Sequence, residues 1–355
     1  MKKTSKIMSL VLAGAMVLSL GACSGGSTAE TTKAAGTEST EAVTAPSSGE
    51  GTEASSEAGE GEGQTAEGTT YKIGILQLVQ HTALDAANEG FLAALDEAGI
   101  QYDLDSQNAS GDQSACQTVA SKFANDKKDL ILAIATPAAQ AVAGAVTDTP
   151  VLITAVTDPA ESGLVDDNQK PGGNVTGTSD LTPVKEQIDL LKQLVPDART
   201  VGVLYCSAES NSKIQADMAK EAIAAAGMES KEYTVSGSNE IQTVVQSMVG
   251  AVDAVYAPTD NVIAAGMATV GMVAGDNKLP VICGEAGMVQ NGGLATYGID
   301  YYQLGYMTGQ QAVKILTEGA SPADMPIEYL PAEKCELTVN EETAQTLGID
   351  VSGLK

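Results

Sequence analysis

The sequence contains the same series of landmarks twice, and this internal repeat limits the folds that the chain can adopt. Each half has a glycine in a first apolar run, an aspartate before a second run and a proline before a third. The pairs are separated by 128, 124 and 130 residues, and they are Gly74 with Gly202, Asp129 with Asp253, and Pro150 with Pro280. Three landmarks that recur after nearly the same number of residues indicate a duplicated structural unit.

Within the first copy, apolar runs typical of strands alternate with segments of helical periodicity. The apolar runs 71–79, 130–135 and 151–156 predict strands. Residues 84–98 and 113–125 predict helices, and a third helix begins near Pro137. Strands that are apolar on both faces indicate a parallel sheet covered by helices. We therefore predict an α/β protein with two doubly wound parallel-sheet lobes.

Polar residues follow the predicted strands in both copies. In open α/β sheets, ligands bind at the carboxyl ends of the strands, so two facing lobes would share a cleft there. The polar positions in these loops are Gln80, His81, Thr136, Pro137, Thr157, Asp158, Asn211, Thr259, Asp260, Asn261 and Glu285. The sequence therefore predicts a small-molecule site between the lobes.

The first 23 residues are typical of a bacterial lipoprotein signal peptide. Three lysines precede an apolar stretch at 7–20, which is shorter than a membrane-spanning helix needs to be. The stretch ends in Leu20-Gly-Ala-Cys23, which resembles a lipobox. We expect lipidation (palmitate) of Cys23, which anchors the protein on the extracytoplasmic face of a bacterial membrane. An ordinary leader with a chance cysteine is the alternative.

Residues 24–70 consist almost entirely of Ser, Thr, Gly, Glu and Ala. Such a segment buries too little apolar surface to offset the entropy of ordering, so we predict a disordered acidic tether. The whole chain has a formal charge of -27 and a pI of about 4.2. This charge excludes a nucleic-acid binder as the default interpretation, because phosphate contacts need clustered Lys and Arg.

The sequence contains no recognisable metal, redox or catalytic motif. Cys116, Cys206, Cys283 and Cys335 form no C-x-x-C pair, and His81 is the only histidine. We therefore predict no metal, no cofactor and no enzymatic activity. We expect the cysteines to be buried and to pack as small apolar side chains. One disulfide is the alternative, since disulfides can form outside the cytoplasm.

Several motifs in order resemble the ABC-transporter substrate-binding lipoproteins of the tryptophan/tyrosine-binding type. The motifs are Thr154-Ala-Val-Thr-Asp-Pro159, Gly172-Gly-Asn-Val-Thr-Gly177, Tyr256-Ala-Pro-Thr-Asp-Asn261 and Ala295-Thr-Tyr-Gly-Ile-Asp-Tyr-Tyr-Gln-Leu-Gly305, together with the run from Leu130 to Gln140. The resemblance extends from Tyr71 to about Leu347. It implies the type I periplasmic-binding-protein fold and delivery of a captured solute to a membrane permease and its ATPase.

The same resemblance implies that the chain crosses between the lobes three times. We place residues 71–182 and 297–325 in the first lobe, and residues 183–296 and 326–355 in the second. A helix between about residues 300 and 319 should return to the first lobe.

An amino-acid ligand needs partners for its carboxylate and for its ammonium group. Thr136 as an N-cap before Pro137 offers an anion site at a helix start, or else a cap that touches no ligand. Thr157 and Asp158 offer a similar site, or only begin a turn. The acids Asp260, Glu285 and Asp300 are candidates for the ammonium group, because a buried cation needs a carboxylate partner.

Other polar residues have two interpretations each. His81 contacts the ligand or makes a hydrogen bond at a helix start. Asn211, Ser179 and Asp180 lie near the expected cleft and hinge, where each contacts the ligand or has only a structural role. Tyr301 and Tyr302 stack on an aromatic ligand or pack in the usual way.

The sequence thus predicts a lipid-anchored solute-binding protein that closes two lobes around a small molecule. By resemblance, the molecule is an aromatic amino acid. Another amino acid or small solute, a surface receptor for a signalling partner, and an extracytoplasmic enzyme on the same scaffold are the alternatives.

Overall fold

The computed structural model describes residues 69–354. The predicted signal peptide, the lipidated Cys23 and nearly all of the predicted acidic tether lie outside these residues. Within them, no helix is long and apolar enough to cross a membrane. Cys116, Cys206 and Cys283 are buried, Cys335 is half-buried, and none of the four forms a disulfide.

Twelve strands and eleven α-helices make up the described region. The strands are β1 (Thr70–Gln77), β2 (Gln101–Asn108), β3 (Leu130–Ile134), β4 (Val151–Val156), β5 (Val175–Ser179), β6 (Thr200–Cys206), β7 (Glu229–Val235), β8 (Ala254–Ala257), β9 (Val281–Cys283), β10 (Ala295–Gly298), β11 (Glu328–Tyr329) and β12 (Glu336–Val339). The helices are α1 (Thr82–Glu97), α2 (Gln113–Asp126), α3 (Thr136–Ala145), α4 (Val184–Leu194), α5 (Ser210–Ala225), α6 (Ile241–Met248), α7 (Asn261–Ala265), α8 (Met267–Asp276), α9 (Ala286–Gln290), α10 (Tyr301–Val313) and α11 (Glu341–Leu347).

The strands form two six-stranded sheets with equivalent orders. The first is β2-β1-β3-β4-β5-β11 and the second is β7-β6-β8-β9-β10-β12. All pairs are parallel except β10 with β12, which is antiparallel. Every residue of β3, β4 and β5 is buried, as expected for strands with helices on both faces. The predicted α/β class with two doubly wound lobes is confirmed.

Two helices pack on the lobe opposite to the strand they follow. Helix α4 follows β5 of the first sheet but packs against α5, whereas α10 follows β10 of the second sheet and packs against α1. We call the first sheet with α1, α2, α3 and α10 lobe 1, and the second sheet with the other helices lobe 2. The chain passes between the lobes after β5, after β10 and between β11 and β12.

Two of the predicted lobe boundaries differ from the observed sheet pairing. The sequence predicts the return to lobe 1 at residue 297, but Tyr297 and Gly298 still belong to β10 of the second sheet. It predicts the final passage at 325/326, but Glu328 and Tyr329 pair with Thr178 and Ser179 of β5. Each strand completes its hydrogen bonds to the neighbouring strand before the chain crosses to the other lobe. Strand β11 has only two residues, which is too short to give an apolar pattern in the sequence.

Candidate ligand-binding site

A small chamber lies between the lobes, where strands of both sheets end. It is narrow, with a cavity volume of about 10 Å³, which is room for one group the size of a water molecule or an ammonium group. Eight of the residues named from the sequence line it: His81, Asp180, Asn211, Thr259, Asp260, Asn261, Glu285 and Tyr301. The other lining residues are Leu84, Ala155 and Ala264. The chamber therefore brings polar side chains of both lobes together.

Asp260 and Glu285 are at the chamber because they cap the short helices that follow β8 and β9. Asp260 accepts the backbone N–H of Ile263 at 2.8 Å and that of Cys206 at 2.5 Å. Glu285 accepts the N–H groups of Met288, at 2.8 Å, and Gly287. All four carboxylate oxygens are thus engaged by the backbone, which is the usual role of an acidic N-cap.

Asp180 differs from these two acids because half of its carboxylate is unpartnered. It follows β5 and is buried, and its Oδ2 accepts a hydrogen bond from the Tyr301 hydroxyl at 2.8 Å. Among the described residues, Oδ1 has no partner with hydrogen-bond geometry, although the Thr157 hydroxyl lies close to this carboxylate. Burial raises the pKa of Asp180 to about 6 and that of Glu285 to about 7. A buried acceptor of this kind is suited to a donor supplied by a ligand.

Glu209 contacts two residues that line the chamber, Asn211 and Asn261, and no sequence motif marks it. It ends the loop between β6 and α5 and is buried. Its Oε2 accepts the side-chain amides of Asn261 at 2.6 Å and Asn211 at 3.2 Å, and its Oε1 accepts the N–H of Val262 at 3.2 Å. Burial and the nearby Asp260 charge raise the pKa of Glu209 to about 8. Glu209 therefore holds both asparagines that face the chamber.

His81 lies at the start of α1 and connects the two lobes. Its Nε2 is 3.3 Å from Oδ1 of Asn261, which belongs to lobe 2, and its side chain does not cap α1. Its Nδ1 is buried and has no partner among the described residues. Burial lowers the pKa of His81, so the ring is neutral at pH 7.

Three further hydrogen bonds join the lobes directly. Gln215 donates to Oγ1 of Thr157 at 2.9 Å, Gln140 donates to Oγ of Ser210 at 3.3 Å, and Gln113 donates to the carbonyl of Ala208 at 3.1 Å. All three donors are glutamine amides. The lobes are thus in a closed arrangement.

The helix start predicted at Thr136 has a different geometry from the expected one. Ala135, with φ 82°, is the N-cap of α3, and Thr136 is its first residue. The prediction that Thr136 caps this helix is therefore wrong, because the backbone turns one residue earlier. The Thr136 hydroxyl is buried and has no partner among the described residues. Ala155, the second-last residue of β4, also has a positive φ of 56°, so two adjacent strand ends hold strained backbone near the site.

The other predicted positions are structural or lie outside the chamber. Thr157 accepts the bond from Gln215, and its carbonyl accepts the Ser179 hydroxyl at 2.7 Å. Asp158 forms a turn, in which it accepts the N–H of Glu161 and the side-chain amide of Asn168. Gln80 is exposed on a separate groove, and Asp300 is an exposed N-cap of α10 that accepts the N–H of Gln303 at 3.1 Å.

A wider cleft adjoins the chamber and shares Asn261 with it. It is open to solvent and has a volume of about 450 Å³. Its apolar lining comes from both lobes and includes Leu78, Val79, Pro137, Ala208, Val262 and Ala265. Chamber and cleft together offer one polar and one apolar compartment. In the described part of the chain, no group of His, Cys, Asp and Glu could hold a metal ion.

Comparison with known proteins identifies close relatives of the chain. The family model for ABC transporter substrate binding proteins matches residues 72–353. A tyrosine-binding protein from Clostridioides difficile strain R20291 is 45% identical over 279 residues, which are 78% of this chain and 80% of that protein.

Two solved structures are also similar in sequence and fold. An ABC domain from Streptococcus pneumonia in complex with L-Trp is 40% identical, with a TM-score of 0.77 over 80% of this chain and 97% of that one. A ligand-free, open substrate-binding protein with adhesive properties from Clostridium difficile is 46% identical, with a TM-score of 0.62 over 81% and 97%. The open structure thus superposes less well although its sequence is more similar.

Proposed function

This chain belongs to the ABC transporter substrate-binding protein family, and we propose that it captures an aromatic amino acid, tyrosine or tryptophan, between its lobes. Proteins of this family act on the extracytoplasmic side, where they bind a small ligand and deliver it to the permease. The choice of ligand is supported by a relative with 45% identity that is a tyrosine-binding protein and by a 40% identical structure that contains L-Trp.

The unpartnered Oδ1 of Asp180 is the observation that carries the proposal. A free amino acid brings a permanent ammonium group, and a buried cation needs a carboxylate partner. Asp260 and Glu285 already give both oxygens to backbone N–H groups, so Asp180 is the acid with capacity for the ligand. The Tyr301 hydroxyl fixes the carboxylate through its other oxygen.

The rest of the ligand has matching surroundings. The start of α3 reaches the cleft at Pro137, and the N–H groups that a helix start leaves without an intrahelical partner, with the buried Thr136 hydroxyl, suit the ligand carboxylate. The adjoining cleft has an apolar side that suits an aromatic ring, with Pro137 and Val262 on opposite lobes. On this view Asn261 marks the boundary between the polar and the apolar end of the ligand.

Lobe closure is part of the proposed mechanism. Four side-chain hydrogen bonds connect the lobes, and the chain superposes better on the L-Trp complex than on the ligand-free, open relative. A hinge motion that opens this arrangement admits the ligand, and closure buries it. The affinity then depends on the population of the closed form as well as on the direct contacts.

Isothermal titration of residues 69–355 tests the proposal. This region folds on its own in the relatives, since their crystallised chains correspond over 97% of their length to only about four fifths of this one. We expect L-Tyr or L-Trp to bind, and a ligand at 100 times its dissociation constant stabilises the protein by about 2.7 kcal/mol. If no aromatic amino acid binds while another solute does, the ligand assignment is wrong.

Anchoring by lipid at Cys23 completes the proposal. The basic residues, the short apolar stretch and the Leu20-Gly-Ala-Cys23 sequence support it. In cells, the protein should fractionate with membranes and incorporate labelled palmitate, and Cys23→Ser should abolish the labelling. Unchanged labelling of this variant would exclude Cys23 as the lipid attachment site.

A further inference from the structure

Glu209 dictates which way the amide of Asn261 faces. Its Oε2 receives the Asn261 side-chain amide at 2.6 Å and the Asn261 backbone N–H at 3.3 Å. The reverse orientation would bring the amide oxygen of Asn261 against a carboxylate oxygen, and two acceptors repel each other. The amide oxygen Oδ1 must therefore point away from Glu209, towards His81.

The orientation of Asn261 in turn fixes the tautomer of His81. The imidazole is neutral and carries one N–H. Since Oδ1 of Asn261 can only accept, Nε2 of His81 must be the donor across their 3.3 Å contact. The other ring nitrogen, Nδ1, then carries a bare lone pair, and this buried atom has no partner among the described residues.

Asn211 is oriented by the same carboxylate. Its amide nitrogen donates to Glu209 and to the carbonyl of Thr259, both at 3.2 Å. Its Oδ1 is buried and unpartnered in the described region. Together with Oδ1 of Asp180, the residues that line the chamber thus present three unpartnered acceptors, and an ammonium group has three N–H donors.

We infer that Glu209 is a positioning residue that makes the chamber selective for a primary ammonium group, by orienting Asn211 and Asn261 and, through Asn261, the lone pair of His81. Glu209 lines the adjoining cleft but not the chamber, so its effect on the ammonium end of the ligand acts through these side chains. The inference rests on the proposed function, because it concerns the ammonium end of the same ligand. A ligand with fewer N–H donors leaves buried acceptors unpaired, which is costly.

The four hydrogen bonds to side-chain and backbone N–H groups match an ionised Glu209, which only accepts. Burial and the Asp260 charge oppose ionisation and raise the pKa of Glu209 to about 8. The positive charge of a bound ammonium group lies on the other side of the asparagines and favours the ionised form. The bound ammonium group therefore stabilises the ionised form of Glu209, and ionised Glu209 in turn strengthens binding of the ammonium group.

Nitrogen NMR of the imidazole tests the tautomer directly. The chain has one histidine, so its two ring nitrogens can be assigned without ambiguity. In residues 69–355 without ligand at about pH 9, where Glu209 is ionised, we expect a protonated Nε2 and an unprotonated Nδ1, and the Nδ1 resonance should move when L-Tyr or L-Trp binds. A protonated Nδ1 would overturn the inference whatever the ligand proves to be.

Glu209→Gln tests the selectivity. The glutamine amide can donate to Asn261, which allows Asn261 to turn round and His81 to adopt the other tautomer. We expect the preference for the amino acid over its des-amino analogue to fall by about tenfold or more, the range for a hydrogen bond to a charged group. The same NMR experiment on Glu209→Gln should show a mixture of the two His81 tautomers.

Asp253→Asn is the matched control for this variant. Asp253 also binds backbone N–H groups in lobe 2, those of Arg199 and Thr200, but at the opposite end of the sheet. It should lower stability and leave the selectivity unchanged. If Glu209→Gln binds with wild-type selectivity, the inference is wrong. If the wild-type protein has the expected tautomer but binds no aromatic amino acid, the proposed function fails and the assignment of Glu209 stands.

Discussion

Gln215 and Thr157 are joined across the lobes by a 2.9 Å hydrogen bond between two buried side chains. Gln215 also contacts Thr259, which lines the chamber, through its side-chain nitrogen and oxygen. One amide thus connects the loop after β4 in lobe 1 with the loop after β8 in lobe 2. None of these contacts needs the ligand, so Gln215 stabilises closure itself.

We expect Gln215→Met to weaken ligand binding, although Gln215 does not line the chamber. Loss of the bond leaves two buried threonine hydroxyls short of a partner, which costs about 1–3 kcal/mol and shifts the lobes towards the open form. Titration calorimetry should show a lower affinity, and small-angle scattering of the free protein should show a larger radius of gyration. Gln193→Met, at an exposed position on α4, is the control and should change neither quantity.

Asp180→Asn should have opposite effects on affinity and on stability. The variant loses the charge that the proposal assigns to the ammonium partner, so affinity should fall by about 100-fold, near the upper range for charged hydrogen bonds. Without ligand, it removes a buried unpaired carboxylate, so the melting temperature at about pH 8 should rise.

Asp300→Asn separates the two candidate ammonium partners. Asp300 is exposed and caps α10, and asparagine is an equally good N-cap, so this variant should keep its stability within about 0.5 kcal/mol and keep its affinity. Loss of affinity in Asp300→Asn and not in Asp180→Asn would reverse the assignment.

Much of the fold could be predicted from the sequence, because the buried parallel strands are continuous apolar runs. The repeat also located the carboxyl ends of the strands, where Asp260, Asn261 and Glu285 line the chamber. The lobe boundaries were less accurate, since the two-residue strand β11 has no pattern of its own.

The roles of the acids could not be predicted, because they depend on which oxygens the backbone engages. Asp260 and Glu285 follow strands just as a ligand-binding acid would, yet both cap helices. Glu209 was overlooked although the repeat offset of 128 residues makes it the counterpart of His81. Both residues precede the first helix of their copy, so the offset was the signal that could have identified Glu209.

The contact between α1 and α10 depends on glycines that let the two helices approach closely. A Cβ at Gly305 would overlap the backbone of Ala87, and one at Gly309 would overlap the carbonyl oxygen of Phe91. Helix α10 also begins with Tyr301, which holds the Asp180 carboxylate. The position of this helix therefore links lobe 1 packing to the chamber.

Gly305→Ala should destabilise the protein by about 3 kcal/mol, because the backbone of α1 cannot yield to the added methyl group. Chemical unfolding measures the loss, and the displaced α10 should also lower ligand affinity. Gly144→Ala is the control, since Gly144 lies exposed on α3 with no atom near its missing Cβ. That change should raise stability by up to about 1 kcal/mol. Equal effects of the two substitutions would contradict the close-packing argument.

The pH dependence of stability reports on the buried acids. Acids with a raised pKa in the folded state, here Glu285 at about 7 and Glu209 at about 8, bind more protons folded than unfolded. Stability is then lost as pH rises towards those values. The lowered pKa of His81 has the opposite effect, so this residue makes stability rise with pH. It does so only below about pH 6.5, the pKa of histidine in the unfolded chain. Above that pH the acids alone determine the slope.

The melting temperature of the free protein should therefore fall between about pH 6.5 and 8.5, with up to about 1.4 kcal/mol lost per pH unit for each proton. A bound ammonium group favours the ionised acids, so ligand binding should release protons and strengthen over the same range. Calorimetry in buffers of different ionisation enthalpy measures the release. Glu209→Gln should flatten the melting profile, because it removes the acid with the higher of the two values. A wild-type profile that rises with pH in this window would show that these acids are ionised in the free protein.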